Sequence, residues 1–149
     1  MNKDLRLQEA IEMKTTLKEL WHMLTDPEEI KAYFWGTEVT TDWKAGSPIS
    51  FKGEWEHQTY EDKGTIIDIQ PEKLIRYNYW SSFWGEDISP DERSIITYQI
   101  REISDGFVEL MVIQEGFKDE QSLNHSKTNW NGIMNNIKNI IEKKHQSPL

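Results

Sequence analysis

The sequence predicts an α+β fold in which a single antiparallel sheet packs against one long C-terminal helix. Three observations predict it. Two short stretches of helical periodicity follow an alternating segment at the N terminus, polar and apolar residues alternate between turn signals from residue 37 to residue 117, and a long helical stripe follows. The 149 residues contain no recognisable linker or internal repeat, so we expect one domain spanning residues 1–149.

The N-terminal part of the chain is predicted to form one strand and two short helices. Apolar residues at alternate positions predict a strand with one buried face: Leu5, Leu7, Ile11 and Met13. The segment Thr16–Glu19 has the form of a capping box, in which the hydroxyl and the carboxylate each satisfy a free backbone N–H group. Asp26 is expected to cap a second helix that begins at Pro27 and ends near Gly36.

Turn signals at residues 45–48, 61–64, 70–73 and 104–106 divide the middle of the chain into a predicted antiparallel meander. In the clearest strand, the residues expected on the buried face are Ile49, Phe51, Gly53, Trp55 and His57. Two later strands repeat the pattern, with Ile96, Tyr98 and Ile100 on one buried face and Val108, Leu110 and Val112 on the other. The opposite face also carries apolar residues, which predict a monomer or a weak homodimer: Ile95, Met111 and Ile113.

The last predicted element is a helix from about Ser122 to Lys144. Its apolar residues form one stripe: Trp130, Ile133, Met134, Ile137, Ile140 and Ile141. The rest of the helix is rich in asparagine, which favours helices poorly, so packing against the sheet must stabilise it.

The composition narrows the chemistry that the chain can perform. A net charge of −9 disfavours nucleic acid and anionic membranes as partners. The chain has no cysteine for a thiolate, zinc–thiolate or disulfide site, and its first residues contain no apolar segment, so we expect a cytoplasmic protein. The four histidines have no metal-ligand spacing and no nucleotide-binding or hydrolase motif occurs, so no metal, cofactor or catalytic residue is predicted.

Several local motifs, in this order, resemble one known family. They are Trp21 with the segment 24–28, the stripe Ile30, Tyr33 and Phe34, Gly46 leading to Phe51, the segment 64–69 with Pro71 and Leu74, Gly116-Phe117, and Trp130 with Met134 and Ile137. Together they resemble the START-like superfamily, specifically the single-domain bacterial relatives of the activator of the heat-shock chaperone ATPase. The resemblance implies a helix-grip fold, in which a curved sheet of about seven strands surrounds the terminal helix and leaves a cavity between them. It also suggests a part in the stress response.

A cavity of this kind predicts a binding site for a hydrophobic, aromatic or lipid-like small molecule. The residues expected to bind the ligand are Trp55, His57, Tyr77, Tyr79, Tyr98, Gln114, Trp130 and Met134. Trp43 is placed in the loop before the strand, outside the site, and residues 81–90 are a candidate lid with Phe83 and Trp84. The alternative is that most of these side chains simply complete the core, because a buried Tyr or Trp normally finds a partner for its polar atom.

Three functions remain open at this point. The first is a non-catalytic carrier or sensor of a small hydrophobic molecule. The second is a chaperone-associated interaction module, which the resemblance implies. The third is an enzyme similar to the polyketide cyclases and dehydratases of the superfamily, in which His57, Arg76 or the tyrosines would move protons. A filled core with an exposed apolar patch would favour a protein partner, whereas a defined cavity would favour ligand binding.

Overall fold

A computed structural model describes residues 2–84, 89 and 92–145, and it confirms the α+β helix-grip fold. The described strands are β1 (Asn2–Lys14), β2 (Glu38–Thr40), β3 (Pro48–Trp55), β4 (Gln58–Gln70), β5 (Leu74–Tyr79), β6 (Ser94–Ser104) and β7 (Phe107–Phe117). The helices are α1 (Leu17–Thr25), α2 (Pro27–Tyr33) and α3 (Glu120–Lys144), with a 3₁₀ turn at Ser82–Trp84. The strands form one antiparallel sheet in the order β1-β7-β6-β5-β4-β3-β2, so the first strand pairs with the last.

Both predicted helix caps of the N-terminal part are confirmed. The Thr16 hydroxyl accepts a hydrogen bond from the backbone N–H of Glu19 at 3.1 Å, and the Asp26 carboxylate accepts one from Glu28 at 2.9 Å. The carboxylate of Glu19, which the capping box would direct to the helix N terminus, bonds to the Thr15 hydroxyl at 2.7 Å and to His145 Nε2 at 2.6 Å. This carboxylate therefore connects the start of α1 with the end of α3.

The stripe of α3 is buried as predicted, and the helix begins two residues earlier than expected because Asp119 caps it. The Asp119 carboxylate accepts a hydrogen bond from the backbone N–H of Ser122 at 2.8 Å. Next to the stripe, the half-buried Asn136 donates to the carbonyl oxygen of Tyr33 at 3.1 Å and so attaches α2 to α3. An asparagine that favours helices poorly is thus used as a contact between two elements.

The turn between β3 and β4 lies five residues earlier than predicted. Glu56 and His57 form it with φ values of 48° and 66°, and pairing resumes with Trp55 opposite Gln58. The predicted turn at residues 61–64 is wrong, because β4 runs straight through it. Gly64 is needed there for a close approach of two strands: a Cβ atom on it would lie 1.8 Å from the carbonyl oxygen of Asn78.

Among the described residues, no helix is both long and apolar enough to cross a membrane.

Candidate ligand cavity

Among the described residues, two small cavities lie between the concave face of the sheet and the helices. The first is lined by Leu24, Ile30, Tyr33, Phe34, Val39, Trp43, Ile49, Phe51, Ile75, Tyr77 and Tyr98. The second is lined by Leu24, Tyr33, Tyr98, Leu110, Val112, Trp130, Ile133, Met134 and Ile137. Leu24, Tyr33 and Tyr98 line both, so these three side chains form the wall between the two cavities.

Neither cavity has room for an organic ligand in this conformation. Each has a volume of about 10 Å³, which is at the lower limit for one water molecule. Sites for drug-sized molecules are larger by more than an order of magnitude. The expected cavity is therefore present as a position in the fold, but side chains fill most of it.

The walls contain a pair of tyrosine hydroxyls. The hydroxyls of Tyr77 and Tyr98 lie 3.0 Å apart and share a hydrogen bond, and their rings meet edge to face at 5.8 Å. Burial raises the pKa of Tyr98 to about 12 and raises the pKa of Tyr77 well above its ordinary value. Burial also raises the pKa of Tyr33 in the shared wall. These groups stay neutral at physiological pH, so they can donate or accept a hydrogen bond but cannot supply a charge.

Gln114 and Trp130 meet, but their polar atoms bond to each other. The indole N–H of Trp130 donates to Gln114 Oε1 at 2.8 Å, and Gln114 Nε2 donates to the hydroxyl of Ser94 at 2.9 Å. Ser94 in turn donates to the carbonyl oxygen of Glu115 at 3.1 Å. The chain of bonds is buried and attaches α3 to β6 and β7. It is the arrangement expected of residues that complete a core.

Tyr79 directs its hydroxyl to a buried carboxylate. It donates a short hydrogen bond to Asp62, which also accepts from the backbone N–H of Ser82 at 3.0 Å. Burial, followed by the charge of Asp62, raises the pKa of Tyr79 well above its ordinary value. Neither residue lines a cavity, and Asp62 instead holds the 3₁₀ turn against β4.

The prediction that Trp55 and His57 point into the cavity is wrong. Trp55 is 59% exposed at the end of β3, and His57 is exposed in the turn that follows. The alternation places Trp55 on the same face as Phe51 correctly, but the hairpin extends past the edge of the core at this point. Trp43 lies in the predicted loop, yet its indole lines the first cavity.

Helices α1 and α2 also contribute residues to the walls that were not among the predicted site residues. Leu24, Ile30, Tyr33 and Phe34 all line the first cavity. The helical stripe of α2 was a usable signal, because an apolar stripe on a short helix must face either the sheet or a cavity next to it. The predicted lid comprises residues 81–90, of which residues 85–88 and 90 lie outside the described residues. Within the described part of the lid, the side chain of Phe83 is 50% exposed.

Within the described ranges, no group of three or more histidine, aspartate or glutamate side chains is placed to hold a metal ion.

Comparison with known proteins supports the family. The family model described as "Activator of Hsp90 ATPase homolog 1-like protein" matches residues 14–142, whereas a search of curated proteins gave no match. A solution structure from Cytophaga hutchinsonii is 33% identical, with a TM-score of 0.81 over 97% of this chain and 98% of that one.

Two more distant structures share the fold. An Hsp90 activator from Plasmodium falciparum is 16% identical, with a TM-score of 0.74 over 93% of this chain and 96% of that one. The Aha1 dimer from Colwellia psychrerythraea is 13% identical, with a TM-score of 0.69 over 90% of this chain and 93% of that one. Since the family model covers most of the sequence and the fold agrees, this chain belongs to the family of proteins similar to activator of Hsp90 ATPase homologue 1.

Proposed function

We propose that this chain binds a small, mainly apolar molecule between the sheet and α3, as a carrier or sensor without catalysis. One observation carries the proposal: the two cavities share the wall made by Leu24, Tyr33 and Tyr98. Rotation of one tyrosine out of this wall would join them into a single apolar space. A minor conformation of this kind, stabilised by a ligand, is a cryptic pocket.

The walls indicate the chemistry of the ligand. Leucine, isoleucine and aromatic side chains surround the space, and the hydroxyls of Tyr77 and Tyr98 are polar groups that can turn from each other to a ligand. We therefore expect a ligand that is apolar apart from one hydroxyl or carbonyl oxygen. Trp130 and Met134 would contact it from α3, while Gln114 and Tyr79 would support the walls.

The need to open the pocket limits the affinity. Burying roughly 200 Å² of apolar ligand surface at about 25 cal/mol/Å² contributes about 5 kcal/mol, and one hydrogen bond adds about 1 kcal/mol. If the open conformation is populated at about 3%, the observed dissociation constant is about thirtyfold higher than the intrinsic one. Weak binding, in the high micromolar range or above, is the expected result.

The experiment is a ligand screen with a matched pair of variants. A panel of aromatic and long-chain molecules is titrated into labelled protein and followed by NMR, and native mass spectrometry tests protein purified from its own host for a bound molecule. Tyr98→Phe keeps the wall and removes one hydroxyl, so it should weaken binding of a hydroxyl or carbonyl ligand by about fivefold. The control is Tyr60→Phe, because the Tyr60 hydroxyl bonds to Thr37 outside both cavities.

The proposal fails if the panel and the native protein show no saturable binding, or if the ligand shifts map onto exposed residues. Equal effects of the two variants would also contradict the assignment of the tyrosine pair.

A second candidate function is regulation of an Hsp90-type chaperone. Two observations favour it. The space between the sheet and the helices is nearly filled while aromatic rings such as Trp55 and Phe83 are exposed, which favours a protein partner over a preformed ligand site. The family model that matches residues 14–142 is described by reference to the activator of the Hsp90 ATPase. The test is the ATPase rate of the Hsp90 homologue from the same organism with increasing amounts of this chain. Stimulation that saturates would support the candidate, and an unchanged rate together with no complex in sedimentation would refute it.

A further inference from the structure

We propose that the tip of the β3–β4 hairpin is a docking surface for a basic, apolar segment of a partner protein. The surface consists of the aromatic rings of Trp55, Tyr60 and Phe83, and we call it the hairpin-tip surface. It is separate from both cavities, so the inference does not depend on ligand binding.

The three rings form one continuous apolar surface. The ring centres of Trp55 and Phe83 lie 6.0 Å apart, and those of Tyr60 and Phe83 lie 5.6 Å apart. Trp55 is 59% exposed and Phe83 is 50% exposed, so the rings cover each other only partly. Aromatic residues are the side chains that contribute most to protein interfaces, and a cluster of them in contact with water marks an interaction site more often than a single exposed ring does.

The turn that follows Trp55 has an unfavourable backbone conformation. Glu56 and His57 both have positive φ values in the turn that follows Trp55, and neither is a glycine or an asparagine. Two consecutive residues in this region of backbone space cost on the order of 1 kcal/mol or more each. A two-residue hairpin turn requires positive φ at both positions, so the unusual feature is the use of glutamate and histidine there, directly after Trp55.

Hydrogen bonds hold the ring of Tyr60 and the backbone next to Phe83. The hydroxyl of Tyr60 lies 2.6 Å from the hydroxyl of Thr37, which is fully buried. The backbone N–H of Ser82, next to Phe83, donates to the buried carboxylate of Asp62 at 3.0 Å. The surface is therefore ordered before a partner arrives, and binding costs little additional side-chain entropy.

The charges around the surface select the partner. The tip of the hairpin, residues 52–61, carries three glutamates, Glu54, Glu56 and Glu61, and one lysine, Lys52, whose Nζ lies 3.5 Å from Glu61. The whole chain has a net charge of −9. An acidic edge next to exposed aromatic rings favours lysine or arginine together with apolar side chains, both through charge and through cation–π contacts. The same acidic tip on a second copy of the chain would be repelled at this surface.

The test uses three short synthetic peptides and NMR titration of the labelled full chain. The first peptide combines lysine and leucine with serine spacers, the second replaces lysine by glutamate, and the third replaces leucine by serine. The first should bind and shift the signals of Trp55, Tyr60 and Phe83, and each of the others should bind at least about tenfold more weakly. Its affinity should fall with added salt.

Matched variants localise the binding. Trp55→Ser should weaken binding of the first peptide at least about tenfold, and Glu54→Lys should weaken it and reduce the salt dependence. Phe107→Ser is the control, because Phe107 is a comparably exposed aromatic residue, 44% exposed, at the start of β7. It should leave the affinity unchanged. Thermal unfolding of each variant confirms that the fold is retained.

Three results would overturn the proposal. The first is the absence of saturable shifts at the hairpin-tip surface, and the second is equal binding by Trp55→Ser and Phe107→Ser. The third is a set of shifts at the surface that depends on protein concentration without any peptide, which would identify a second copy of the chain as the occupant. None of these results bears on the cavity, so the two proposals fail independently.

Discussion

Replacement of Gln114 by leucine separates a structural role of this side chain from a role in ligand binding. Gln114 is 2% exposed, and its two polar atoms bond to Trp130 and Ser94. Leucine is apolar and one atom shorter than glutamine, so it cannot accept a hydrogen bond. In Gln114→Leu, the indole N–H of Trp130 loses its acceptor inside the core.

The magnitude follows from what each partner loses. A buried donor left without an acceptor costs about 1–3 kcal/mol. Ser94 keeps its hydrogen bond to the carbonyl oxygen of Glu115 at 3.1 Å, so the loss of its bond from Gln114 adds little to the cost. Burial of the apolar leucine side chain offsets part of this destabilisation. We expect Gln114→Leu to lower the free energy of unfolding by about 2 kcal/mol, which is a factor of about 30 in the ratio of folded to unfolded protein.

Urea unfolding of the wild type, Gln114→Leu, Trp130→Phe and the double variant measures this directly. A loss of about 2 kcal/mol corresponds to a shift of about 1 M in the urea midpoint for a slope of about 2 kcal/mol/M. The double variant no longer contains the indole N–H group without an acceptor. The sum of the losses of unfolding free energy in the two single variants should therefore exceed the loss in the double variant by about 1 kcal/mol or more. Additive losses, or a single variant as stable as the wild type, would refute the structural role.

Four other outcomes follow from particular contacts. Replacing Glu56 and His57 by Asn-Gly should raise the free energy of unfolding, measured in urea, by about 1–2 kcal/mol, because asparagine and glycine adopt positive φ at lower cost. No gain in stability would show that the turn is unstrained. Burial alone would raise the pKa of Glu19, but hydrogen bonds from Thr15 and His145 outweigh it and lower the pKa below its ordinary 4.5. The stability that these bonds contribute is therefore present above pH 4.5 and is lost as the pH falls through the lowered pKa. Glu19→Gln should flatten this acid limb in thermal unfolding, and an unchanged limb would contradict the account. Burial raises the pKa of Tyr98 to about 12, so the contribution of its neutral form to stability is lost as the pH rises from about 10 through 12. An ultraviolet titration of the folded protein in which every tyrosine ionises near pH 10 would contradict the burial. Weak self-association through the outer sheet face should disappear in Met111→Lys, and sedimentation of the wild type as a pure monomer at high concentration would exclude it.

The fold was predictable because local and global signals agree over most of this chain. The caps at Thr16 and Asp26, the stripe of α3 and the alternation of β6 and β7 each depend on neighbours within a few residues. Such features are fixed by the geometry of helices and strands, and the sequence shows them directly. Their order along the chain, together with the family resemblance, predicts the helix-grip arrangement.

The turn between β3 and β4 was not predictable in this way. Glu56 and His57 are not the asparagine and glycine that mark a two-residue turn with positive φ, whereas the segment 61–64 contains the residue types of a turn. Gly64 is there because β4 and β5 approach each other closely, which is a tertiary requirement. A glycine beside charged residues looks the same in a sequence whether it serves a turn or a close contact.

The roles of the polar core residues depend on partners far along the chain. Gln114 and Trp130 were predicted to contact a ligand, and the fold places them close enough to bond to each other. Sequence shows that a side chain faces inward, but it does not show whether a ligand or another side chain completes its hydrogen bonds. For this reason, the sequence predicts ligand contact equally for the tyrosine pair and for the indole of α3, whereas the structure gives them different hydrogen-bond partners.

The exposed position of Trp55 has a physical reason that also supports the hairpin-tip surface. Alternation along β3 gives the face of each residue and says nothing about how far the helices extend over that face. Phe51 lies under α2 and is buried, with its ring stacked on that of Phe34, whereas Trp55, four residues further along the same face, has passed the edge of the core. A soluble monomer would place a polar residue there at no cost to its core. The presence of a tryptophan beside a strained turn, in contact with the half-exposed Phe83, is therefore better explained by a partner than by folding.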